Sequence, residues 1–356
     1  MMVVVMQRLI GIKTMKIKYL YIAAMALMLG ACSETELPHG NKPTEGGLMP
    51  VLFSAGNMDV ASTRSSLSYM PNGSKFVCTM FFHAGANDED TTPFYTDKNP
   101  LVADVNMVTT SLQMNADDGK ATPAVTLYWQ NRMNHVFLAL ADYHHLAASD
   151  TITYSAVKTF DLTRGDKTKM SEQPDPILAH EIDNPSGATP EANRVTLLFK
   201  HQLAQVQVNI KNSEEGSVNI TPESVDNVEL LGVSKKAYVP FSIQSDGKLA
   251  AVIADTEKDD YAFCMFARET PTAGYLKSFD GIAFGTMQGI RITWHEANGI
   301  KHQSVLQKAK NVELGSGKKY IYNIELRRSV IASFSATIAD WVVDKTGYEA
   351  DGTIKE

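Results

Sequence analysis

Cys32 is the residue of this 356-residue chain whose surroundings point to one specific reaction. Residues 15–32 read MKIKYLYIAAMALMLGAC: an N-terminal part with two lysines, then eleven apolar residues, then Gly, Ala and Cys. That order is typical of a secretory signal peptide, and the ending LGAC resembles a bacterial lipobox. Small residues before Cys32 fit the narrow cleft of a signal peptidase, and the thiol is the group that would accept diacylglycerol. The sequence therefore predicts lipidation of Cys32, with an ordinary signal peptide and a chance cysteine as the alternative.

The apolar run before Cys32 is too short to cross a membrane. A transmembrane helix needs about 20 apolar residues, whereas this run has eleven. We therefore predict that residues 1–31 are a signal peptide, with the true start at Met15, and that lipid tethers the mature chain. One acyl chain binds a membrane only marginally, whereas two or three hold it firmly. Residues 32–48 are polar and rich in Gly and Pro, which predicts a flexible tether.

His144 and His145, with Asp142 and His135 close in sequence, form the densest group of potential metal ligands. Zinc needs ligands that converge at about 2.0–2.1 Å. Neighbouring residues of a strand point to opposite faces, so His144 and His145 are not expected to share an ion. The acidic run at 87–90 lacks the spacing of an EF-hand loop, and the sequence has no phosphate-binding glycine loop or nucleophile elbow. The sequence predicts no metal, no cofactor and no enzyme activity.

The other two cysteines and the three tryptophans fit structural roles. Cys78 and Cys264 lie in apolar runs, KFVCTMFF and DYAFCMFAR, where we expect buried thiols that act as small hydrophobic groups. A disulfide between them stays open, because pairing cannot be deduced from sequence. Trp129, Trp294 and Trp341 are expected in the core, with sugar-binding platforms as the alternative.

Composition and charge argue against a nucleic-acid-binding surface. The net charge is −7, whereas binding to a phosphate backbone requires clustered Lys and Arg. Hydrophobic residues make up 44% of the chain, which is ordinary for a globular protein and enough to form cores. At about 100–200 residues per domain, the length predicts two domains.

Residues 203–211, LAQVQVNIK, show the clearest alternation of apolar and polar residues. The apolar residues would face one buried side of a strand, and the glutamines and asparagine the other side. Residues 322–327 and 334–339 alternate in the same way. Many short strands separated by turn signals such as PNG, DG and NG predict an all-β chain of antiparallel β-sandwiches. Further predicted strands are 51–55, 76–82, 125–129, 135–140, 195–200, 228–233, 248–253, 262–266, 290–294 and 304–307.

Residues 171–194 are the predicted domain boundary. The segment SEQPDPILAHEIDNPSGATPEANR holds four prolines and several acidic residues, and strand alternation resumes at Val195. We therefore place an N-terminal β-sandwich domain at 49–190 and a C-terminal β-sandwich domain at 191–356.

Several segments, in this order along the chain, resemble the fimbrillin-like proteins of Bacteroidetes, a family of type V pilus subunits and their accessory lipoproteins. After the lipobox and the tether they are the Thr63-Arg64 pair, DPILAH at 175–180, VTLLFKHQLAQVQVNI at 195–210, GSGKKYIYNIEL at 315–326 and ATIADW at 336–341. The resemblance covers essentially the whole mature chain. It implies two transthyretin-like antiparallel β-sandwich domains in tandem, and export as a lipoprotein to the outer membrane and cell surface.

The resemblance also implies how such subunits assemble. In stalk subunits of the family, a protease specific for Arg or Lys cuts after the first strand, and an extended segment of the next subunit fills the vacated groove. A sheet that lacks a strand exposes unpaired N–H and C=O groups and an apolar trough, and an inserted strand supplies partners for both. The implied partners are other pilus subunits, in a homo- or hetero-polymer, and the outer membrane through the lipid anchor.

Mapped onto this chain, the first strand is residues 49–55 and the cut follows Arg64. The donor candidates are Phe334, Ala336 and Ile338, which alternate near the C-terminus. Two alternatives stay open: Arg64 is only an exposed loop arginine, and the C-terminal strand pairs only within its own domain.

Two function classes follow from these observations. The first is a fimbrillin-like structural or adhesive component of a surface pilus, assembled by β-strand exchange. The second is a monomeric surface lipoprotein that binds glycan or a host protein and keeps residues 49–55 permanently in its own sheet. Strand exchange separates the two classes, and a row of exposed aromatic residues would favour the second.

Overall fold

A computed structural model provides the three-dimensional framework for these predictions. It describes residues 48–57, 68–70, 72–83, 105–115, 119–145, 157–212, 220–241, 249–255, 261–327 and 330–341. The predicted signal peptide, Cys32, Arg64 and all of the predicted tether except Leu48 lie outside the described residues.

The described residues form twenty β-strands and four short 3₁₀ turns. The 3₁₀ turns have three residues each: Tyr143–His145, Met170–Glu172, Glu191–Asn193 and Pro222–Ser224. In the part of the chain that the structure describes, no helix has the length and apolar character needed to span a membrane. The prediction of an all-β chain is confirmed.

The first sheet closes on itself. Its strands run in the order β2-β1-β5-β4-β3-β6-β8-β9, and β1 also pairs with β9 in parallel, so seven strands form a barrel-like ring with β2 beside it. This differs from the purely antiparallel sandwich predicted for the N-terminal half. A closed ring leaves no free sheet edge, which removes the risk of edge-to-edge aggregation. The bounds are β1 (Phe53–Asn57), β2 (Ser68–Tyr69), β3 (Lys75–His83), β4 (Val105–Met114), β5 (Lys120–Pro123), β6 (His135–Asp142), β8 (Pro176–Asp183) and β9 (Val195–His201).

Strands β3 and β6 and the first half of β8 are buried on both faces. Alternate residues of β6 belong to different apolar clusters: Phe137 and Ala139 point into the ring, whereas Leu138 and Leu140 point outward into a second cluster. A strand with two buried faces needs an almost continuous apolar run, and HVFLALA supplies one.

The second half contains a two-sheet sandwich. A five-stranded sheet, β15-β16-β10-β19-β20, and a four-stranded sheet, β14-β11-β17-β18, contribute to one shared apolar core. Within the first of these sheets, β10 and β19 are parallel. The bounds are β10 (Ala204–Asn212), β11 (Val225–Leu231), β14 (Ala262–Cys264), β15 (Phe266–Ala267), β16 (Lys277–Ala283), β17 (Gly285–His295), β18 (Lys301–Leu314), β19 (Lys318–Arg327) and β20 (Val330–Asp340).

A small third sheet helps to join the two halves. It has the order β13-β12-β7, with bounds β7 (Val157–Asp161), β12 (Lys236–Pro240) and β13 (Ile253–Ala254). A third apolar cluster combines residues of both halves: Val77, Phe81, Val136, Leu138, Leu140, Phe160, Leu162, Leu178, Leu203, Ala237, Val239, Phe241, Ile282, Phe284 and Trp341. All described residues accordingly belong to one compact unit. The domain boundary near residue 191 stays a prediction.

The boundary segment 171–194 contains β8, whose Ile177 and Leu178 are fully buried. Two local predictions differ from the structure. Residues 125–129 form no strand and carry a single bridge at Tyr128. β10 is buried on both faces because its polar side is covered, and the amide of Gln207 donates to Thr272 Oγ1 at 2.9 Å.

Candidate functional site

The strand-exchange prediction rests on two strands, β1 and β20. Residues 49–55 are described: 53–55 form the start of β1, and 49–52 lead directly into it, so that we call residues 49–57 the β1 segment. Phe334, Ala336 and Ile338 all lie in β20. The structure places the two strands in different sheets and in opposite surroundings.

β1 is fully enclosed. Val51, Phe53 and Ala55 point into the ring and are 1%, 0% and 1% exposed. Met49, two residues earlier, is also buried and continues the same row. Such a strand fills its slot with alternate side chains of medium, large and small size, because successive residues of a strand point to opposite faces.

Hydrogen bonds hold both edges of the β1 segment. On one side, Val51 N donates to Leu127 O at 2.9 Å and Ala55 N donates to Gly119 O at 3.0 Å. On the other side β1 pairs in parallel with β9, and Val195 N donates to Leu52 O at 2.9 Å. Removal of β1 would therefore leave unpaired backbone groups on both walls of the slot.

Side chains of the slot fix the position of Phe53. Its ring meets Phe137 edge to face, with 5.8 Å between centroids, and the guanidinium of Arg194 donates to Phe53 O at 3.1 Å. On the outer face, the hydroxyls of Ser54 and Thr196 lie 3.0 Å apart. The slot thus holds an aromatic residue followed by a hydroxyl-bearing residue.

β20 has the opposite surroundings. It pairs with β19 along one side and forms the edge of its sheet. Phe334, Ala336 and Ile338 pair with Ile324, Tyr322 and Tyr320, whose side chains enter the core of the second sandwich. These three residues of β20 are nevertheless exposed, Phe334 at 43% and Ile338 at 53%. The edge strand therefore presents its inner, apolar face to solvent.

β20 lacks the usual protection of an edge strand. Natural edges are blunted by charges, proline or bulges, but residues 330–339 contain neither a charge nor a proline. The one irregularity is a register shift opposite Glu325 and Leu326. An uncharged edge with alternating apolar residues can pair with another strand.

A shallow pocket is lined by residues of β17, β18 and β19. It has a volume of about 10 Å³, and its lining includes Leu306 and Val312 of β18 and Tyr322 of β19. Burial raises the pKa of Tyr322 to about 12. The volume is below the about 300–1,000 Å³ of typical small-molecule sites, so the pocket does not by itself indicate a ligand.

A buried polar cluster joins the segments that carried the family resemblance. His201 Nδ1 lies 2.8 Å from Asp175 Oδ1, with both side chains inaccessible to solvent. The imidazole of His201 stacks on Trp341 at 3.8 Å, with an angle of 4° between the rings. Burial raises the pKa of Asp175 well above its ordinary range. The pair resembles a catalytic dyad in composition, but a substrate cannot reach it, so its role is structural.

Gly317 also belongs to this cluster, and its backbone lies close to that of His201. Its φ is +68°, and a Cβ at this position would lie 3.3 Å from His201 O. Gly317 N donates to Leu203 O at 2.8 Å, and Trp341 N donates to Gly317 O at 2.8 Å. Glycine is required here because other residues rarely adopt this backbone conformation. The cluster fixes the point at which the chain leaves β20.

The histidines considered as metal ligands do not converge. His135 and Asp142 occupy opposite ends of β6, which at about 3.3 Å per residue separates them by roughly 20 Å. His145 contacts Asp142 at 3.0 Å, whereas His144 donates to Gln173 O at 2.9 Å. Burial lowers the pKa of His135 to about 4. Within the described ranges, no group of three or more His, Cys, Asp and Glu side chains could hold a metal ion.

The cysteines and tryptophans have structural positions. Cys78 and Cys264 are free thiols, so the disulfide alternative is wrong, and Cys78 is buried as predicted whereas Cys264 is half-buried. Trp129, Trp294 and Trp341 are all buried, which confirms the prediction that they belong to the core.

Sequence reasoning missed the cluster of Asp175, His201 and Trp341, although each residue lies in a segment that carried the family resemblance. One signal was available: His201 follows the strand-like run VTLLFK. The contacts of His201 with Asp175 and Trp341 could not be deduced from the sequence, because these residues are 26 and 140 positions away along the chain.

Comparison with known proteins gives one family. A family model described as fimbrillin-like matches residues 63–341. A search of curated proteins finds no match.

Solved structures from Bacteroides uniformis and Bacteroides ovatus share this fold at low sequence identity. A candidate cell adhesion protein from Bacteroides uniformis has 16% identity and a TM-score of 0.51, and the match covers 82% of this chain and 99% of that one. A candidate cell adhesion protein from Bacteroides ovatus has 14% identity and a TM-score of 0.53, with coverage of 84% and 99%. The tip fimbrial protein Mfa3 from Porphyromonas gingivalis has 12% identity and a TM-score of 0.43, with coverage of 82% and 99%. At these identities the first two comparisons concern the fold alone.

Proposed function

The chain belongs to the fimbrillin-like family, and we propose that it is a structural or adhesive component of a surface pilus, assembled by β-strand exchange. The observation that carries the proposal is that the same chain has an enclosed strand that can be removed, β1, and an exposed edge strand that can replace it, β20. β1 fills a closed apolar slot near the start of the folded chain, and β20 offers an uncharged edge near its end.

The first step of the proposed pathway is export. Lipidation of Cys32 would hold the subunit at the outer membrane and cell surface, since the predicted tether follows the lipid site directly. Two or three acyl chains suffice for firm anchoring. The subunit would remain folded and closed at this stage, with β1 in its slot.

The second step is a cut after Arg64 in stalk subunits. Arg64 follows β1 in sequence, so the cut would separate the β1 segment from the rest of the chain and leave every other described strand intact. The released segment would then be held only by its hydrogen bonds and buried side chains. Its departure would open the slot between β5 and β9.

The third step is insertion of β20 from another copy. Full burial of one large apolar side chain contributes about 1.5–3 kcal/mol, and the slot takes Met49, Val51 and Phe53 as well as Ala55. A donor strand that fills the same positions would recover several kcal/mol at each junction. Repeated head-to-tail junctions that do not close would form a filament.

The tandem arrangement of two transthyretin-like sandwich domains belongs to the same proposal. The two-sheet core of the second half supports it directly. For the first half, the ring would become an open sheet once β1 leaves, because β1 is the strand that pairs with both β5 and β9.

The alternative of a monomeric surface lipoprotein that binds glycan or a host protein predicts permanent retention of β1. Among the described residues, Tyr128 and Phe334 are the large aromatic side chains with high exposure. These two do not make the extended aromatic row expected of a glycan platform. Pilus assembly is therefore the better supported function.

A cleavage-and-assembly experiment tests the proposal. The mature chain without Cys32 is treated with an Arg-specific protease, then analysed by N-terminal sequencing and by electrophoresis in denaturant without boiling. We expect a new N-terminus at Ser65 and a ladder of stable oligomers. An Arg64→Gln chain is the matched control and should stay monomeric.

The opposite result has a clear meaning. A chain that is cut after Arg64 but stays monomeric, with β1 retained, would contradict strand exchange. That outcome would favour the monomeric surface lipoprotein.

A further inference from the structure

We infer that β20 of one copy enters the β1 slot of the next in a single register and in the same direction as β1, with Phe334 in the place of Phe53. This inference rests on the proposed function and adds the alignment of the two strands. Its ligand is a second copy of this chain.

A shared tripeptide sets the register. Residues 53–55 and residues 334–336 both read Phe-Ser-Ala. One copy of the tripeptide forms the start of the enclosed β1 and the other lies in the middle of the exposed β20. The last strand therefore repeats the central part of the strand that it would replace.

The inward-facing positions agree along the whole slot. With Phe334 aligned on Phe53, the residues of β20 that would point into the ring are Val330, Ala332, Phe334 and Ala336. They stand in the places of Met49, Val51, Phe53 and Ala55, so all four positions are apolar in both strands. The aromatic ring would meet Phe137, which contacts Phe53 in the closed subunit.

The polar contacts of the slot agree as well. Ser335 would take the place of Ser54, whose hydroxyl lies 3.0 Å from Thr196 Oγ1. Backbone donors are needed at the positions of Val51 and Ala55. β20 has no proline, so it can supply both.

Neighbouring registers fit the slot poorly. A shift of two residues one way puts Ala336 in the place of Phe53 and Ile338 in the place of Ala55. The opposite shift puts Phe334 in the place of Ala55. Ala55 is only 1% exposed, so a larger side chain there must displace packed neighbours, while an alanine in the Phe53 place leaves a cavity.

The direction follows from the outward positions. In the same direction, Ser335 falls at Ser54 and Thr337 falls at the buried Gly56. In the reverse direction, Ser333 would fall at Ser54 and the larger Ile331 at Gly56. The slot accommodates the smaller residue more easily.

Intermolecular disulfide trapping tests register and direction together. Two single variants, Thr196→Cys and Ser335→Cys, are prepared in a chain without Cys32 and with Cys264→Ala, cut after Arg64, mixed and oxidised. The register places residue 335 of the donor beside residue 196 of the acceptor, within disulfide reach because the hydroxyls of Ser54 and Thr196 lie 3.0 Å apart. Ser333→Cys and Thr337→Cys mixed with Thr196→Cys are the off-register controls.

The outcomes separate this inference from the proposed function. A disulfide between positions 196 and 335, and none with 333 or 337, supports the register. A ladder whose disulfide forms with position 333 or 337 overturns the register while strand exchange stands. A complete lack of oligomers from cut wild-type chain overturns both.

A second measurement does not depend on cysteine variants. Phe334 and Ile338 are similarly exposed in the closed subunit, but Phe334 aligns with the fully buried Phe53, whereas Ile338 aligns with a polar residue, Asn57. Phe334→Ala should weaken assembly by about a hundredfold or more, and Ile338→Ala by less than about tenfold. Equal effects of the two substitutions would contradict the alignment.

Discussion

β1 and β20 carry the same alternation of apolar residues but have opposite surroundings. Phe53 in β1 is 0% exposed and is enclosed by paired strands on both sides, whereas Phe334 in β20 is 43% exposed at a sheet edge. The same Phe-Ser-Ala sequence therefore contributes fully to the core in one strand and only partly in the other.

The alternation of residues therefore decides which side of the sheet carries the apolar side chains, whereas the position of the strand in the sheet decides whether those side chains are buried. Both strands direct Phe and Ala to the inner side of a sheet, as a period of two requires. β1 finds a closed ring there, and β20 finds an edge that the opposing sheet leaves exposed. Strand exchange requires two parts. One is a donor strand whose apolar side chains are still exposed, and the other is a slot that its own strand can leave.

The largest expected effect is on the buried side of this comparison. Phe53→Ala in the uncut chain should lower the free energy of unfolding by about 3–5 kcal/mol, because it removes a fully buried ring that packs on Phe137. Urea denaturation followed by circular dichroism measures the change. A loss below about 1 kcal/mol would show that the β1 slot is loosely packed.

The next largest effect is the pH dependence of stability that arises from His135, which lies beside the slot. His135 packs against Trp129 and Phe137, and burial lowers its pKa from 6.5 to about 4. A histidine with a lowered folded-state pKa favours folding above pH 6.5, and this contribution is lost as pH falls toward 4. We expect the free energy of unfolding to fall by up to about 3 kcal/mol between pH 6.5 and pH 4 because of this histidine.

His135→Gln provides the control for this pH effect. Glutamine does not titrate, and the other titratable groups are common to both chains. The difference in unfolding free energy between wild type and variant should therefore narrow from pH 7 to pH 4.5. A constant difference across this range, or a histidine resonance that titrates near 6.5 by NMR, would contradict the account.

A smaller effect compares the two serines of the shared tripeptide. Ser54 contacts Thr196 in a nearly buried position, whereas Ser335 is exposed and accepts a long hydrogen bond of 3.4 Å from Asn323. Ser54→Ala should cost about 0.5–1.5 kcal/mol in the uncut monomer. Ser335→Ala should change stability by less than about 0.5 kcal/mol. Similar losses in urea denaturation would erase the contrast between the strands.

The smallest expected effect is on the exposed side. Phe334→Ala and Ile338→Ala should each change the stability of the uncut monomer by about 0.5 kcal/mol or less, because both side chains already contact solvent. Thermal unfolding of the monomers is the measurement. A destabilisation above about 2 kcal/mol by either substitution would show that β20 is a core strand of its own sheet and a poor donor.

Much of the fold was accessible from local sequence patterns. The alternation in residues 203–211 and 334–339 predicts strands that the structure contains as β10 and β20, and the continuous apolar runs correspond to β3 and β6. The resemblance to fimbrillin-like proteins is confirmed over residues 63–341. Phe334, Ala336 and Ile338 lie together in β20, as their alternation predicts, and their role as a donor strand stays a prediction.

The rest depends on contacts between distant segments. Ring closure joins β1 to β9 across more than 100 residues, and no local pattern encodes a parallel pair. Gln207 and Asn209 looked solvent-facing because their burial depends on Thr272 and on each other. Prolines and acidic residues mark 171–194 as the predicted domain boundary, whereas the burial of Ile177 inside the ring depends on its pairing with Ala141 of β6.

The most direct test of the central claim is native mass spectrometry of the cut chain before and after assembly. Cleavage after Arg64 in a chain that begins at Ser33 leaves a 32-residue fragment, residues 33–64, that contains β1. The account predicts that monomers retain this fragment and that each junction of an oligomer has lost one copy. Oligomers that keep one fragment per subunit would contradict the replacement of β1 by β20.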